Sequence, residues 1–185
     1  MVQQAERPCI LAGSGIISSH TMDEFEQFVE YMKVPVIGGS WVADNFYMEH
    51  PWFFGPSGNV GPRTGNFILQ NADVILTLGN SLGFRQTGFN QAGFAPNAQI
   101  YMVDIDKAEA QKPGLRIRKH LHADLKDFFR ISLQCRVELR EHNNWVRYCN
   151  RLKERFSPFE AAEGIDLSER VCSYYFWNIF QKYEQ

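Results

Sequence analysis

Pro8-Cys9-Ile10-Leu11-Ala12-Gly13-Ser14-Gly15 is the stretch that decides the fold. Its apolar run shows no polar alternation, as expected of a strand buried on both faces, and it stops at a glycine-flanked turn. From Thr21 the period changes. Phe25, Phe28, Val29 and Met32 fall at i, i+3, i+4 and i+7 on one helical face, while Glu24, Glu26, Gln27 and Glu30 take the other. Thr21 or Asp23 suits the cap, and acidic residues in the first turn suit the helix dipole. Val34-Pro35-Val36-Ile37 then reads as a second apolar strand, which completes a βαβ unit.

Outward from that unit the alternation of strand and helix continues. Residues 38–62 are rich in glycine, proline and aromatics and have no clear period, so they read as a long loop of the kind that carries function. The aromatic part of it, Trp41 to Phe54, is expected to pack against another layer. Pro62 suits the start of a helix bearing Phe67, Ile68 and Leu69. Asp73 to Leu78 and Gln99 to Asp104 read as buried strands separated by a second glycine-rich loop, Gly79 to Pro96. Arg116 to Leu121 reads as a weaker, edge strand. Asp124 then caps a helix whose apolar positions are Leu125, Phe128, Phe129, Ser132 and Leu133. The pattern predicts an α/β fold: an open, mainly parallel sheet of five or six strands with helices on both faces, spanning residues 1–140.

Beyond that domain the character changes. Residues 141–165 are expected to form a helical linker, with Trp145, Tyr148, Leu152 and Phe156 as one stripe on a charged helix. A last helix opens with Asp166 at its cap and Glu169 three residues on, and is apolar nearly all round from Val171 to Phe180. Such a helix belongs between layers. Residues 166–185 therefore read as the first helix of a truncated next domain, and without a cover they predict self-association into a homo-oligomer.

Composition excludes several classes. The chain has 185 residues, 44% of them hydrophobic and 22% charged, enough to bury a core without staples. The formal charge of -2 and the absence of a long basic run argue against a nucleic-acid partner. No apolar run reaches the roughly 18–20 residues needed to span a membrane. Cys9, Cys135, Cys149 and Cys172 are widely spaced, so neither a zinc site nor a redox pair is supported, and thiols in apolar strands and helices read as small hydrophobes. Reduced thiols and a polar beginning that is no signal peptide point to the cytoplasm.

Candidate site residues cluster at strand ends. Gly13-Ser14-Gly15 lacks the third glycine of a dinucleotide fingerprint, since position 18 is Ser18; both a phosphate cradle and a plain tight turn fit it. Gly79, Asn80, Asp104 and Asp106 lie at the carboxyl edge where open α/β sheets collect ligands, and the aspartates suit either ribose hydroxyls or turn capping. Asp124 reads chiefly as a helix cap. His120 and His122 share a strand face, but no third metal ligand accompanies them. No nucleophile elbow or H-E-x-x-H occurs.

In succession these segments resemble the central domain of thiamine-diphosphate-dependent enzymes. Arg7-Pro8 through Gly15 resembles the family's R-P-x-x-x-x-G-x-G opening, Val34-Pro35-Val36 its second strand, and His50-Pro51 with Gly55, Gly58 and Gly61 its H-P-x-x-x-G loop. Asn66 through Gly79, Ala95-Pro96-Asn97-Ala98 and Val103-Asp104-Ile105-Asp106 continue the likeness to about residue 140, and the phrase leading to Arg85-Gln86-Thr87-Gly88 is most similar to acetolactate synthase. The resemblance implies a non-catalytic domain of a carboligase or decarboxylase acting on 2-keto acids, which holds FAD or another nucleotide through Gly13, Ser14, Gly15, Gly61, Gly79, Asn80, Asp104 and Asp124. It also implies thiamine diphosphate and magnesium in the parent enzyme, gripped by a G-D-G motif that this chain lacks, with the catalytic glutamate on a preceding domain. Hence the chain alone is expected to be inactive, its partners being domains on either side of it. Ser81 stands where the family's flavin-facing arginine lies, which predicts weak or no FAD binding. Two other readings remain: an assembly module with a vestigial pocket, and a sirtuin-like NAD-dependent enzyme, which would need the paired C-x-x-C motifs that are absent.

Overall fold

A strand buried at every position needs neighbours on both sides and cover on both faces, and β1 (Pro8–Ala12) has all four. A computed structural model describes residues 2–39, 50–59 and 61–156. In it β1 lies between β2 (Val36–Gly38) and β4 (Val74–Leu78), parallel to both. Beyond β2 lies β3 (Phe53–Pro56); beyond β4 come β5 (Gln99–Asp104) and β6 (Ile117–His122). All five pairings are parallel and the order is β3-β2-β1-β4-β5-β6. The chain thus works outward from β1 to one edge, returns, and works outward to the other. Its switch point falls between β1 and β4, where such sheets open a crevice at their carboxyl edge.

The strand period of two sorts side chains onto two cores. Ile10, Ala12, Val36, Phe53, Leu76, Leu78 and Val103 face one way, under α2 (Met22–Met32) and α5 (Leu125–Gln134), which contribute Phe25, Phe28, Val29 and Phe129. Cys9, Leu11, Ile37, Phe54, Ile75, Ile100 and Met102 face the other, under α3 (Arg63–Asn71) with Ile68 and Leu69 and α6 (Asn143–Arg155) with Trp145 and Cys149. The expected helical face Phe25, Phe28, Val29 and Met32 is buried throughout. Thr21 occupies the cap position of α2, but its hydroxyl donates to the Ile16 carbonyl instead of capping.

The long loop expected over 38–62 needs correction, because Phe53–Pro56 is a strand. Four residues ending in Gly55-Pro56 give no period to read, and both faces of the strand are buried. Residues 40–49, the greater part of the aromatic loop, lie outside the described residues; Phe53 and Phe54 from its end fill opposite cores. Cys135 is likewise corrected: it is exposed just past α5, not a packed hydrophobe.

Within the expected linker, α6 is bound closely to the sheet. Trp145 Nε1 donates to the Pro8 carbonyl at 2.9 Å, and Lys153 Nζ donates to the Phe53 carbonyl at 2.9 Å. Burial lowers the pKa of the Lys153 ammonium. Trp145, Tyr148 and Leu152 pack on the core as the stripe foretells, and Phe156 meets Phe67 with ring centroids 5.2 Å apart. The final helix expected over 166–185 and the stretch before it, 157–165, lie outside the described residues. Among the described residues no helix is long and apolar enough to cross a membrane.

Candidate functional site

Gly13 and Gly15 leave β1 at the switch point and meet Gly79 leaving β4. The Gly13 N–H donates to the Leu78 carbonyl at 2.9 Å, and the Gly15 N–H donates to the Gly79 carbonyl at 3.0 Å. A methyl group on Gly13 would lie 2.0 Å from the Gly79 oxygen, and one on Gly15 would lie 2.7 Å from the Gly79 Cα. Gly79 itself has φ +55, a left-handed conformation that glycine adopts without strain. These glycines therefore let two backbones touch. Ser14 starts α1 (Gly15–Ser18), a single turn.

The other candidates take their places around this contact. Asn80 bridges it: its Nδ2 donates to the Ala12 carbonyl at 3.3 Å and its Oδ1 accepts from the Leu82 N–H at 2.9 Å. Asp104 ends β5 with Oδ1 accepting from the Asp106 N–H at 2.9 Å, and Asp106 in turn accepts from the Ala108 N–H at 2.8 Å. Asp124 caps α5, accepting from the Lys126 N–H at 2.8 Å. The next residue, Leu125, reaches within 3.0 Å of where a Gly79 methyl would be, so the start of α5 borders the glycine contact. Gly61 stands apart from that contact, folded back on Ser57 in the loop after β3. That loop joins α4 (Phe84–Thr87), the short helix after β4, through Asn59 N–H to the Arg85 carbonyl at 2.9 Å and Gln86 Nε2 to Ser57 Oγ at 2.6 Å.

A dinucleotide's phosphates need free backbone donors at such a turn. Here the Gly13, Gly15 and Gly79 amides all serve the fold, the last donating to the Val103 carbonyl at 2.9 Å. At the position of the absent arginine, the Ser81 carbonyl accepts from Lys112 Nζ, and that ammonium is also paired with Glu109. The residues present thus do not fit a tightly held flavin dinucleotide. Among the described residues no group of three His, Cys, Asp or Glu side chains could hold a metal ion. His120 and His122, with rings 6.1 Å apart, direct Nε2 at the carbonyls of Asp104 and Ile105, so both are engaged by backbone.

What fold and edge define is a doubly wound, nucleotide-type α/β domain whose first and fourth strands leave the sheet through glycine turns in backbone contact. Comparison with known proteins gives its family. The family model described as "Thiamine pyrophosphate enzyme, central domain" matches residues 1–130, and the chain belongs to that family. It is 31% identical over 160 residues to a probable acetolactate synthase large subunit of Methanocaldococcus jannaschii, covering 85% of this chain and 27% of that protein. It is 34% identical over 182 residues to the probable acetolactate synthase large subunit of Methanococcus aeolicus, covering 90% and 29%. A sulfoacetaldehyde acetyltransferase of Castellaniella defragrans is 31% identical over 110 residues, covering 57% and 18%. The chain spans less than a third of the length of these curated relatives.

Proposed function

We propose that this chain is the central, non-catalytic domain of a thiamine-diphosphate-dependent carboligase or decarboxylase of the acetolactate synthase kind, acting on 2-keto acids. The match to acetolactate synthase large subunits across most of the chain carries the reading. Thiamine diphosphate supplies carbanion stabilisation in such enzymes. Its diphosphate and magnesium belong to flanking domains, for which these residues form a packed support. The parent enzyme works in the cytoplasm as a homo-oligomer. Under this reading FAD binds weakly or not at all, because Ser81 replaces a cation and Lys112 is already paired.

The test is acetolactate formation from pyruvate by the polypeptide that carries this domain between its neighbours, with and without added thiamine diphosphate and magnesium. Cofactor-dependent product supports the reading. A polypeptide that binds the cofactor yet consumes neither pyruvate nor any other 2-keto acid overturns it.

A further inference from the structure

Below the switch point, at the amino edge of β1 and β4, the surface opens a cavity of about 690 Å³ that the family role does not use. The first turn of α6 forms part of its wall, with Asn143, Asn144 and Trp145 all lining it. The first N–H groups of a helix have no acceptor within the helix, and no side chain caps this one. A thirteen-residue helix also directs its positive end here. His142, the residue at the cap, is only 7% exposed, and its Nε2 has no hydrogen-bond partner. That nitrogen is closed off in the free chain, and leaving it unbonded costs roughly 1–3 kcal/mol, so a small turn of the ring that brings it to an anion in the cavity is favoured.

The charges in the wall are unevenly matched. Arg7 is occupied, with Nε donating to the Asn71 carbonyl at 2.7 Å and its guanidinium 3.7 Å from Glu6. Glu141 accepts from the Asn143 side chain at 2.7 Å, and Asp73, which does not line the cavity, accepts from the Glu6 and Arg7 N–H groups. Arg140 alone among the charged wall residues has neither ion pair nor hydrogen bond among the described residues. We propose that this cavity is a phosphate-binding site, in which one phosphoryl group is held by the Arg140 guanidinium, the opening amides of α6 and His142 Nε2. A free phosphate and a small phosphorylated metabolite share that chemistry. Burial, and next to it the Arg140 charge, lower the His142 pKa, with Asp73 pulling the other way. A bound anion offsets Arg140 and raises it again.

The experiment follows the His142 ring by NMR in the 185-residue chain while inorganic phosphate is added at constant ionic strength, with chloride as the control and glycerol 3-phosphate as a second arm. The expected result is a saturable shift of the His142 ring with phosphate but not chloride, and a rise in its pKa of about one unit. Arg140→Ala, an exposed change that leaves the fold intact, weakens binding by roughly tenfold or more, whereas Arg118→Ala on β6 does not. Tighter binding of glycerol 3-phosphate than of phosphate identifies a phosphorylated metabolite as the occupant; equal binding identifies free phosphate. No saturable shift, an equal shift with chloride, or Arg140→Ala binding as well as the parent chain overturns the site.

Discussion

Replacing Gly13 with alanine separates the two readings of the first glycine turn. The added methyl would lie 2.0 Å from the Gly79 oxygen, 2.3 Å from the Asn80 Cα and 2.4 Å from the Gly79 carbonyl carbon. All three are backbone atoms, so no side chain can swing away. The turn after β1 has to move off the turn after β4. Overpacking of a tight site costs about 1–3 kcal/mol. The movement also strains two backbone hydrogen bonds, Gly13 to Leu78 and Gly15 to Gly79, each worth roughly 0.5–1.5 kcal/mol. The sum, about 2–6 kcal/mol, is a large part of the roughly 5–15 kcal/mol that holds a domain folded. With a urea slope of about 2 kcal/mol/M, the midpoint of unfolding falls by roughly 1–3 M. Gly93→Ala is the control, since its methyl meets nothing nearer than Asn90 Nδ2 at 3.4 Å; it shifts stability by less than about 0.5 kcal/mol. If Gly13→Ala unfolds at the same urea concentration as Gly93→Ala, the turn is no packing device, and ligand approach becomes the better account of its glycines.

Three further outcomes follow from named contacts. His142 has a folded pKa below its unfolded value near 6.5, so the unfolded chain binds the extra proton first; stability is full above about pH 7 and falls as pH drops through the unfolded pKa, a slope that His142→Gln removes in urea titrations at stepped pH. Alkylation of the native chain, mapped by mass spectrometry, modifies exposed Cys135 readily, while Cys9 and Cys149, whose thiol pKa values burial raises, react only on unfolding. Trp145→Phe deprives the Pro8 carbonyl of its donor from α6 and costs about 1–3 kcal/mol by denaturation, equal stability refuting the helix as an integral layer.

Most of the architecture was legible because buried parallel strands and amphipathic helices mark themselves by period. The runs at residues 8–12 and 74–78 have nothing but core to face, the run at 99–104 buries Ile100, Met102 and Val103, and α2 shows its buried stripe in Phe25, Phe28, Val29 and Met32. The strand Phe53–Pro56 was hidden because Gly55 and Pro56 carry loop signals even where a parallel neighbour holds them in the sheet. The attachment of α6 was half visible: its stripe could be read, but the bond from Trp145 to Pro8 joins residues 137 apart and leaves no local trace. The candidate residues other than Gly61 do follow the carboxyl ends of strands, as their sequence positions imply. Their roles depended on partners that only the fold supplies. Asn80 and Asp124 could each serve a ligand or a turn, and in the structure both bond to nearby backbone. His142 escaped notice altogether, since a lone histidine before a helix gives no sign that its ring is buried without a partner.

The proposed role has this domain serving a thiamine-dependent enzyme without itself holding the cofactor. It is tested most directly by titrating thiamine diphosphate and magnesium into the purified 185-residue chain by calorimetry, with pyruvate consumption followed in the same solution. The proposed role predicts no saturable heat and no turnover above buffer. Stoichiometric binding of thiamine diphosphate, or pyruvate consumed by the chain alone, would contradict it.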